Sequence, residues 1–350
     1  MLEFYKNKKV FITGHTGFKG SWLSKILLMS GADVCGYSKE PNTEPSLYDI
    51  FNLQNHMKSI IGDIRNLEEI KKQIEIFKPE IVFHLAAQPI VRESYKDPVY
   101  TYETNVMGTV NLLEAIRNCD SVKSVVNITT DKVYKNNEWA WGYREIDELN
   151  GFDPYSNSKS CSELVTFSYI NSFFNNNPNI AISTARAGNV IGGGDFSIDR
   201  IIPDCIRAAI EKSDIIVRNP NSIRPYQHVF EALSAYLIIA EKQYFNNKLA
   251  SNYNIGPDED GCVTTEELVN QFCSYWGNDI KWKLKSENTL LHEANFLKLE
   301  CSKIKNILGW KPKLKIDDSI KLTIDWTKSY NARKDTDEIS EKQIQNYFFN

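Results

Sequence analysis

Short apolar runs alternate with amphipathic stretches through the first half of the chain. Residues 8–13 form a β-prone run ending at Gly14. A helical pattern follows from Gly20 through Trp22, Leu23, Ile26 and Leu27 to Met29, and Gly31 closes it. Residues 33–37 read as a second strand, 58–61 as a third and 81–85 as a fourth. Residues 67–77 carry apolar positions on one helical face and stop near Pro79. Tyr102, Val106, Val110, Leu113 and Ile116 recur at helical spacing in a long helix predicted over 99–119. A fifth strand is predicted over 122–129, a helix over 155–171 and a sixth strand over 180–185. Alternation of this kind predicts an α/β fold, a doubly wound parallel sheet with helices on both faces. Apolar runs without polar alternation predict strands buried on both sides.

After Arg186 the rhythm changes, and Gly192-Gly193-Gly194 reads as a loop. The expectation is a sheet domain over 1–185 and a smaller, mainly α/β domain over 186–350, with some later segments returning to the first. From about Arg333 the chain is polar until Tyr347-Phe348-Phe349, which reads either as a docked tail or as an unstructured one.

Composition narrows the function classes. The 350 residues carry a formal charge of −4, 42 % hydrophobic and 25 % charged residues, which is ordinary for a globular protein. A whole-chain nucleic-acid binder normally carries a basic excess, so nucleic acid is not an expected partner. The seven cysteines are scattered without a C-x-x-C pair. They predict reduced thiols in a cytoplasm, with neither a disulfide framework nor a metal site. No apolar stretch approaches the roughly 18 residues of a membrane helix, so no membrane association is expected.

The chemistry begins at Gly14-His15-Thr16-Gly17-Phe18-Lys19-Gly20, between the first strand and the first helix. The spacing is G-x-x-G-x-x-G. Gly14 permits a tight turn, Gly17 lets a pyrophosphate approach the backbone, and Gly20 lets helix pack on strand. The helix N-terminus adds N–H donors and the positive end of its dipole. This predicts a Rossmann-like dinucleotide site made by Gly14, His15, Gly17, Phe18, Lys19 and Gly20. An acidic ribose partner is expected at the end of the second strand. Tyr37-Ser38-Lys39 stands there instead, with Glu40 one or two residues late, so the choice between NAD and NADP stays open at this point. Asp63-Ile64, after the third strand, offers either an acceptor for the adenine amino group or a helix cap.

Tyr155 and Lys159 lie four apart at the start of a helix, hence on one face. An ammonium beside a phenol favours phenolate, which makes Tyr155 a candidate base for an alcohol. The same spacing is also common in surface pairs. Thr130-Asp131-Lys132 follows the fifth strand, at the sheet edge where open α/β folds place their chemistry. Thr130 can hold a substrate oxygen, and Asp131 and Lys132 supply an acid and a base; alternatively they are a cap and a solvated charge.

Together these residues resemble the extended short-chain dehydrogenase/reductase family, over nearly the whole chain. The likeness includes Phe83-His84-Leu85-Ala86-Ala87-Gln88, Thr104-Asn105-Val106-Met107-Gly108-Thr109 and Leu308-Gly309-Trp310-Lys311-Pro312. Within the family, the stretches 14–20, 130–132, 186–195 and 224–229 are similar to nucleotide-sugar 4,6-dehydratases acting on CDP-linked glucose. Other dehydratases of the family usually carry Asp-Glu after the hydroxyl residue, where this chain has Asp131-Lys132. Simple epimerases normally lack such a pair.

The resemblance implies bound NAD and an internal redox cycle. Tyr155 takes the 4-hydroxyl proton as hydride leaves C4. The 4-ketone acidifies C5, water is lost across C5 and C6, and hydride returns to C6. Lys159 holds the nicotinamide ribose, Thr130 the 4-oxygen; Asp131 is the acid and Lys132 the base. Leu85, Ala86, Ala87 and Asn105 join the cofactor set. Gln88, Asn189, Arg200, Arg218, Arg224, Tyr226 and His292 are expected to hold the sugar nucleotide, the arginines through its phosphates. Each arginine taken alone is equally a surface charge. The resemblance also implies a homodimer or larger homo-oligomer packed through two long helices, to which Tyr100, Leu112, Phe167, Phe173 and Phe174 supply contacts unless they are ordinary core residues, and a place in deoxysugar or polysaccharide biosynthesis. An epimerase on the same scaffold, a dehydratase of GDP- or dTDP-linked sugar, and a non-catalytic NAD-binding regulator are the rival readings.

Overall fold

The computed structural model describes residues 1–175, 177, 179–277, 280–285 and 296–349. Its strands are β1 (Lys9–Thr13), β2 (Asp33–Ser38), β3 (Lys58–Ile61), β4 (Ile81–His84), β5 (Ser124–Ile128), β6 (Ala181–Ala187), β7 (Asn189–Ile191), β8 (Ile215–Val217), β9 (Ile223–His228), β10 (Asn252–Ile255), β11 (Cys262–Thr264) and β12 (Trp282–Leu284). Seven of them make a parallel sheet in the order β10-β6-β5-β4-β1-β2-β3. Every residue of β5 is buried, as its uninterrupted apolar run requires when helices cover both faces. Strand order reverses at β1 and β4, which pair Thr13 with His84. The chain therefore leaves these two strands in opposite directions and opens a crevice at their carboxyl ends.

The sheet does not end with the first half of the chain. The helix Val229–Phe245 lies on it: Ser124 Oγ donates to the Ala240 carbonyl over 3.0 Å, and Gln243 Nε2 to the Val125 carbonyl over 2.9 Å. β10 then adds its edge strand beside β6. The remaining second-half strands form small sheets, β11-β9-β7 and β12-β8, over a separate core that includes Ile202, Cys205, Ile215, Val217, Phe272 and Ile320.

The predicted helix over 99–119 is broken. Pro98–Tyr102 is capped by Asp97, and Glu103–Met107 is a wide π-helical turn before the helix Gly108–Arg117. Such turns displace one residue from the helical repeat, and here Asn105 falls within it. The C-terminal tail is docked. Helix Thr336–Ile344 is tied down by Lys25 bonding Asp337 and Glu341, and Tyr347 donates to the buried Glu231 over 2.7 Å. All seven cysteines are free thiols. Among the described residues, no group of three or more His, Cys, Asp or Glu could hold a metal ion, and no helix is long and apolar enough to cross a membrane.

Of the residues expected at a dimer contact, Phe167 and Phe173 are exposed, as are Val99, Met107 and Leu164 nearby. Leu112 and Phe174 are instead buried in the core beneath the sheet, because their side chains face inward from their helix and turn. Tyr100 serves the crevice, its ring carrying Lys39 and Arg65.

Candidate active site

A cavity of about 840 Å³ lies along the carboxyl ends of the strands, with the second half of the chain forming its opposite wall. At one end is the glycine turn. Gly14 has φ +79°, and a Cβ there would lie 2.7 Å from the Ala86 nitrogen; one on Gly20 would lie 2.1 Å from the Gly14 oxygen. A side chain at Gly14 would push the turn off the loop after β4, and one at Gly20 would push the helix off the turn. A Cβ on Gly17 would meet only the Gly14 oxygen, at 3.5 Å. Gly17 borders the cavity and caps the helix Phe18–Met29 without a side chain, so the first N–H groups of that helix stay open to a ligand. Phe18 and Lys19 border the same space. Burial and the cations Arg200 and Lys159 bring Lys19 down to about 7.

His15, expected among the cofactor contacts, points away from the cavity. Gly36 leaves room for its ring beneath the turn, where a Cβ on Gly36 would come within 2.2 Å of it. His15 Nε2 lies 2.7 Å from the Ser59 hydroxyl, and burial lowers the imidazole to about 4. Its role is to support the turn. At the end of β2, Lys39 and Glu40 both border the cavity.

Asp63 borders the cavity beside Ile64. The hydrogen bonds from the Arg65 guanidinium, at 2.8 and 3.1 Å, hold its carboxyl below the ordinary carboxylate range. The capping alternative fails, because Asn66 caps the next helix by accepting from the Glu69 nitrogen.

After β4, Leu85, Ala86, Ala87 and Gln88 line the cavity. Asn105 does not. It is buried in its wide turn, accepts from the Gln88 nitrogen at 2.8 Å, and donates to the Gln88 carbonyl and the Ser158 hydroxyl. Asn105 thus holds the loop that lines the cavity instead of touching a ligand. The Gln88 amide is equally engaged, donating to Thr101 and Ile90 and accepting from the Ile90 nitrogen at 2.6 Å.

Thr130, Lys132, Tyr155 and Lys159 all border the cavity, with Thr130 hydrogen-bonded to Tyr155. Asp153 caps the helix Pro154–Tyr169, which presents Tyr155 and Lys159 from its first turns. Lys159 donates to the Ile128 carbonyl over 3.0 Å, and burial lowers it to about 8, with Glu163 opposing. The phenol is not lowered as the pairing predicts. Burial drives Tyr155 up to about 12, and the hydrogen bond with Thr130 only partly offsets it.

Asp131 is fully buried and does not border the cavity, although it was expected to meet substrate as an acid. Its Oδ1 accepts from Thr130 at 3.0 Å and from Lys132 Nζ at 2.8 Å, and its buried Oδ2 has no hydrogen-bond partner among the described residues. The 3₁₀ turn Asp131–Val133 tucks this carboxyl behind its neighbours. Lys132 Nζ also donates to Asn189 Oδ1 over 3.1 Å, and Asn189 bonds the Tyr226 hydroxyl. Asn189 itself borders the cavity, and its Oδ1 also positions Lys132.

Arg200, Arg218, Arg224 and Tyr226 all line the cavity, and Arg200 lies close enough to Tyr155 and Lys19 to act on both electrostatically. Arg200 pairs with Asp195 at 2.9 Å, Arg218 with Asp199, and Arg224 donates to the Ile223 carbonyl. His292 lies outside the described residues. Two groups escaped the sequence reading. Arg92 borders the cavity, four residues after Gln88, on the short helix Val91–Lys96. Glu163 accepts from Thr129 at 2.6 Å and from Arg186 at 2.9 Å, and stands four residues beyond Lys159 on the same helix face. That continued spacing was the available signal for it.

Comparison with known proteins gives this sheet and cavity a class, the extended short-chain dehydrogenase/reductases. The chain belongs to the GDP-mannose 4,6 dehydratase family, whose model matches residues 11–323. It is 48 % identical to the CDP-glucose 4,6-dehydratase of Salmonella typhimurium (strain LT2) over 350 residues, covering 99 % of this chain and 97 % of that protein. Its fold matches the UDP-glucose 4-epimerase of Thermotoga maritima with a TM-score of 0.81, at 21 % identity, over 92 % of this chain and 99 % of the other. The dTDP-glucose 4,6-dehydratase of Streptomyces venezuelae, solved with NAD bound, matches with a TM-score of 0.79 at 21 % identity, over 93 % and 98 % of the two chains.

Proposed function

We propose that this protein is an NAD-dependent hydro-lyase that converts CDP-linked glucose to CDP-4-keto-6-deoxyglucose and water. The observation that carries the reading is the amine of Lys132, held in the cavity beside Thr130, Tyr155 and Lys159. Epimerisation through a 4-ketone needs only the phenol and its partners, whereas elimination across C5 and C6 needs a further base.

The open cradle at Gly17 fits a pyrophosphate, with Asp63 and Ile64 at the adenine end and Lys159 at the nicotinamide ribose. NAD bound there supplies a hydride acceptor for C4 and a donor for C6, with no net redox change. Tyr155 receives the proton of the 4-hydroxyl while Thr130 shares that oxygen. The Arg200 cation and the Thr130 hydrogen bond offset the phenolate charge that burial opposes. Passing the proton shared by Lys132 and Asp131 to the carboxyl frees the Lys132 amine, which takes the C5 proton once C4 is a ketone. The 6-hydroxyl leaves as water with a proton that started on Asp131. Because that carboxyl has no surface in the cavity, its proton travels through Thr130 or Lys132, both bonded to Oδ1. Arg200, Arg218, Arg224 and Tyr226 take the sugar nucleotide.

The exposed Val99, Met107, Leu164, Phe167 and Phe173 support a homodimer through the helices 98–117 and 154–169. Free, scattered cysteines support a cytoplasmic enzyme, and the product suits deoxysugar biosynthesis for lipopolysaccharide or other polysaccharides. The test is a panel of CDP-, GDP-, dTDP- and UDP-glucose read by mass. CDP-glucose is expected to lose one water fastest. Turnover of CDP-glucose without loss of mass would make the protein an epimerase.

A further inference from the structure

Two arginines approach one carboxylate from opposite walls of the cavity. Arg92 stands on the helix after β4, in the sheet half. Arg218 follows β8, in the second half. Asp199 lies between them, in the loop joining β7 to the helix Ile201–Glu211. Arg218 Nη2 donates to Asp199 Oδ1 over 2.5 Å, and Arg92 Nε lies 3.8 Å from the same oxygen. All three residues border the cavity and are partly buried. The neighbouring carboxylates serve other cations, Asp195 pairing with Arg200 and Asp204 with Arg207.

The backbone at Asp199 is left-handed, with φ +60°. Side chains other than Asn and Asp seldom adopt this conformation, so the loop holds its carboxylate here at some cost in backbone energy. An arginine pair of this kind, spanning both halves, suits an anion with two charged groups, because each guanidinium fork matches one set of phosphate oxygens. A single carboxylate does not satisfy both arginines: it bonds Arg218 closely and leaves Arg92 3.8 Å away.

We infer that Asp199 is a specificity-determining counter-ion, which clasps Arg92 to Arg218 until the diphosphate of the sugar nucleotide displaces it. The inference rests on the reading of the cavity as a sugar-nucleotide site. The exchange is ion for ion, so neither guanidinium is left bare in a partly desolvated place. A ligand with one phosphate can replace the carboxylate on one arginine only. A diphosphate replaces it on both, and Arg92 becomes a substrate contact.

The experiment is calorimetric titration of CDP, CMP and cytidine into the NAD-loaded full chain. Asp199→Asn removes the charge and tolerates the left-handed backbone; Asp199→Gly suits the same backbone and removes the side chain. Both variants are expected to bind CDP about tenfold more tightly than the native chain, in the range expected for a charge-assisted hydrogen bond. Their gain for CMP is expected to be smaller, and cytidine binding is expected to stay within about twofold, since it carries no phosphate for the arginines. Arg92→Gln, in the otherwise native chain, is expected to weaken CDP about tenfold. CDP binding that is unchanged or weaker in both Asp199 variants, or unaffected by Arg92→Gln, overturns the inference and leaves an ordinary structural ion pair. If the native chain binds neither CDP nor CMP, the reading of the cavity falls first, and the inference with it.

Discussion

Lys132 is the residue on which the proposed dehydration turns. Its amine reaches the cavity and is steered by two oxygens, one from Asp131 and one from Asn189. Replacing it by alanine is expected to leave oxidation at C4 intact, seen as NADH absorbance that rises and does not decay. Release of dehydrated product should fall about 10²–10⁴-fold, the usual worth of a positioned base. Full product formation by that variant would remove Lys132 from the mechanism. His15 gives a second prediction at this scale. Its folded value of about 4 lies below the ordinary 6.5. As pH falls from 6.5 towards 4, the unfolded chain therefore binds this proton before the folded one does. The contribution to stability is full above about 6.5 and is lost on the acid side, at most roughly 3 kcal/mol by linkage. Thermal unfolding of His15→Gln should show a shallower fall in Tm between pH 6.5 and 4 than the native chain. Some slope will persist, because burial also lowers His84 and His228, each to about 3. An identical slope in both proteins would contradict the assignment.

At the level of elements, Asn105 shows how a wide turn in a helix organises a loop on another strand. Asn105→Ala leaves the backbone of Gln88 and the Ser158 hydroxyl short of partners, a loss of roughly 1–3 kcal/mol. Urea unfolding should show it as a lower midpoint; an unshifted midpoint would mean the loop holds without it. The central strands β1, β4 and β5 were legible because each is a short run buried almost throughout, whereas β3, at the sheet edge, has no buried residue and was marked only by its β-prone composition. β10 was harder to read. Asn-Tyr-Asn-Ile carries two polar residues, and its pairing partner β6 is some seventy residues earlier in the chain. The glycine turn and the Tyr155–Lys159 pair were legible because their chemistry depends on local spacing. The inward turn of His15 was not, since it depends on Gly36 leaving room on the neighbouring strand. Nor was the burial of Asp131, which is set by a single 3₁₀ turn between two cavity residues. Side-chain direction at such points follows from packing between distant segments, which no local pattern encodes.

At the scale of the whole molecule, the two halves share one sheet, and the cavity lies between them. The tail contributes too. Its Tyr347 and the backbone nitrogens of Lys313 and Leu314 satisfy Glu231, a carboxyl whose burial pushes it up. Composition alone could not decide between a docked and a loose tail, because the anchoring contact joins residues 116 apart. The exposed apolar stripe of Val99, Leu164 and Phe167 belongs to this scale as well. If it is the proposed dimer surface, Phe167→Asp should shift the protein from dimer to monomer in sedimentation without unfolding it. A native chain that sediments as a monomer at all concentrations would dismiss the proposal. The internal redox cycle, in which the hydrogen taken from C4 returns to C6, is the central claim. It is tested most directly by supplying CDP-glucose deuterated at C4 and following the label. The account predicts a product lighter by one water that still carries the deuterium, now at C6. A product of unchanged mass, or one whose deuterium has been lost to solvent, would contradict it.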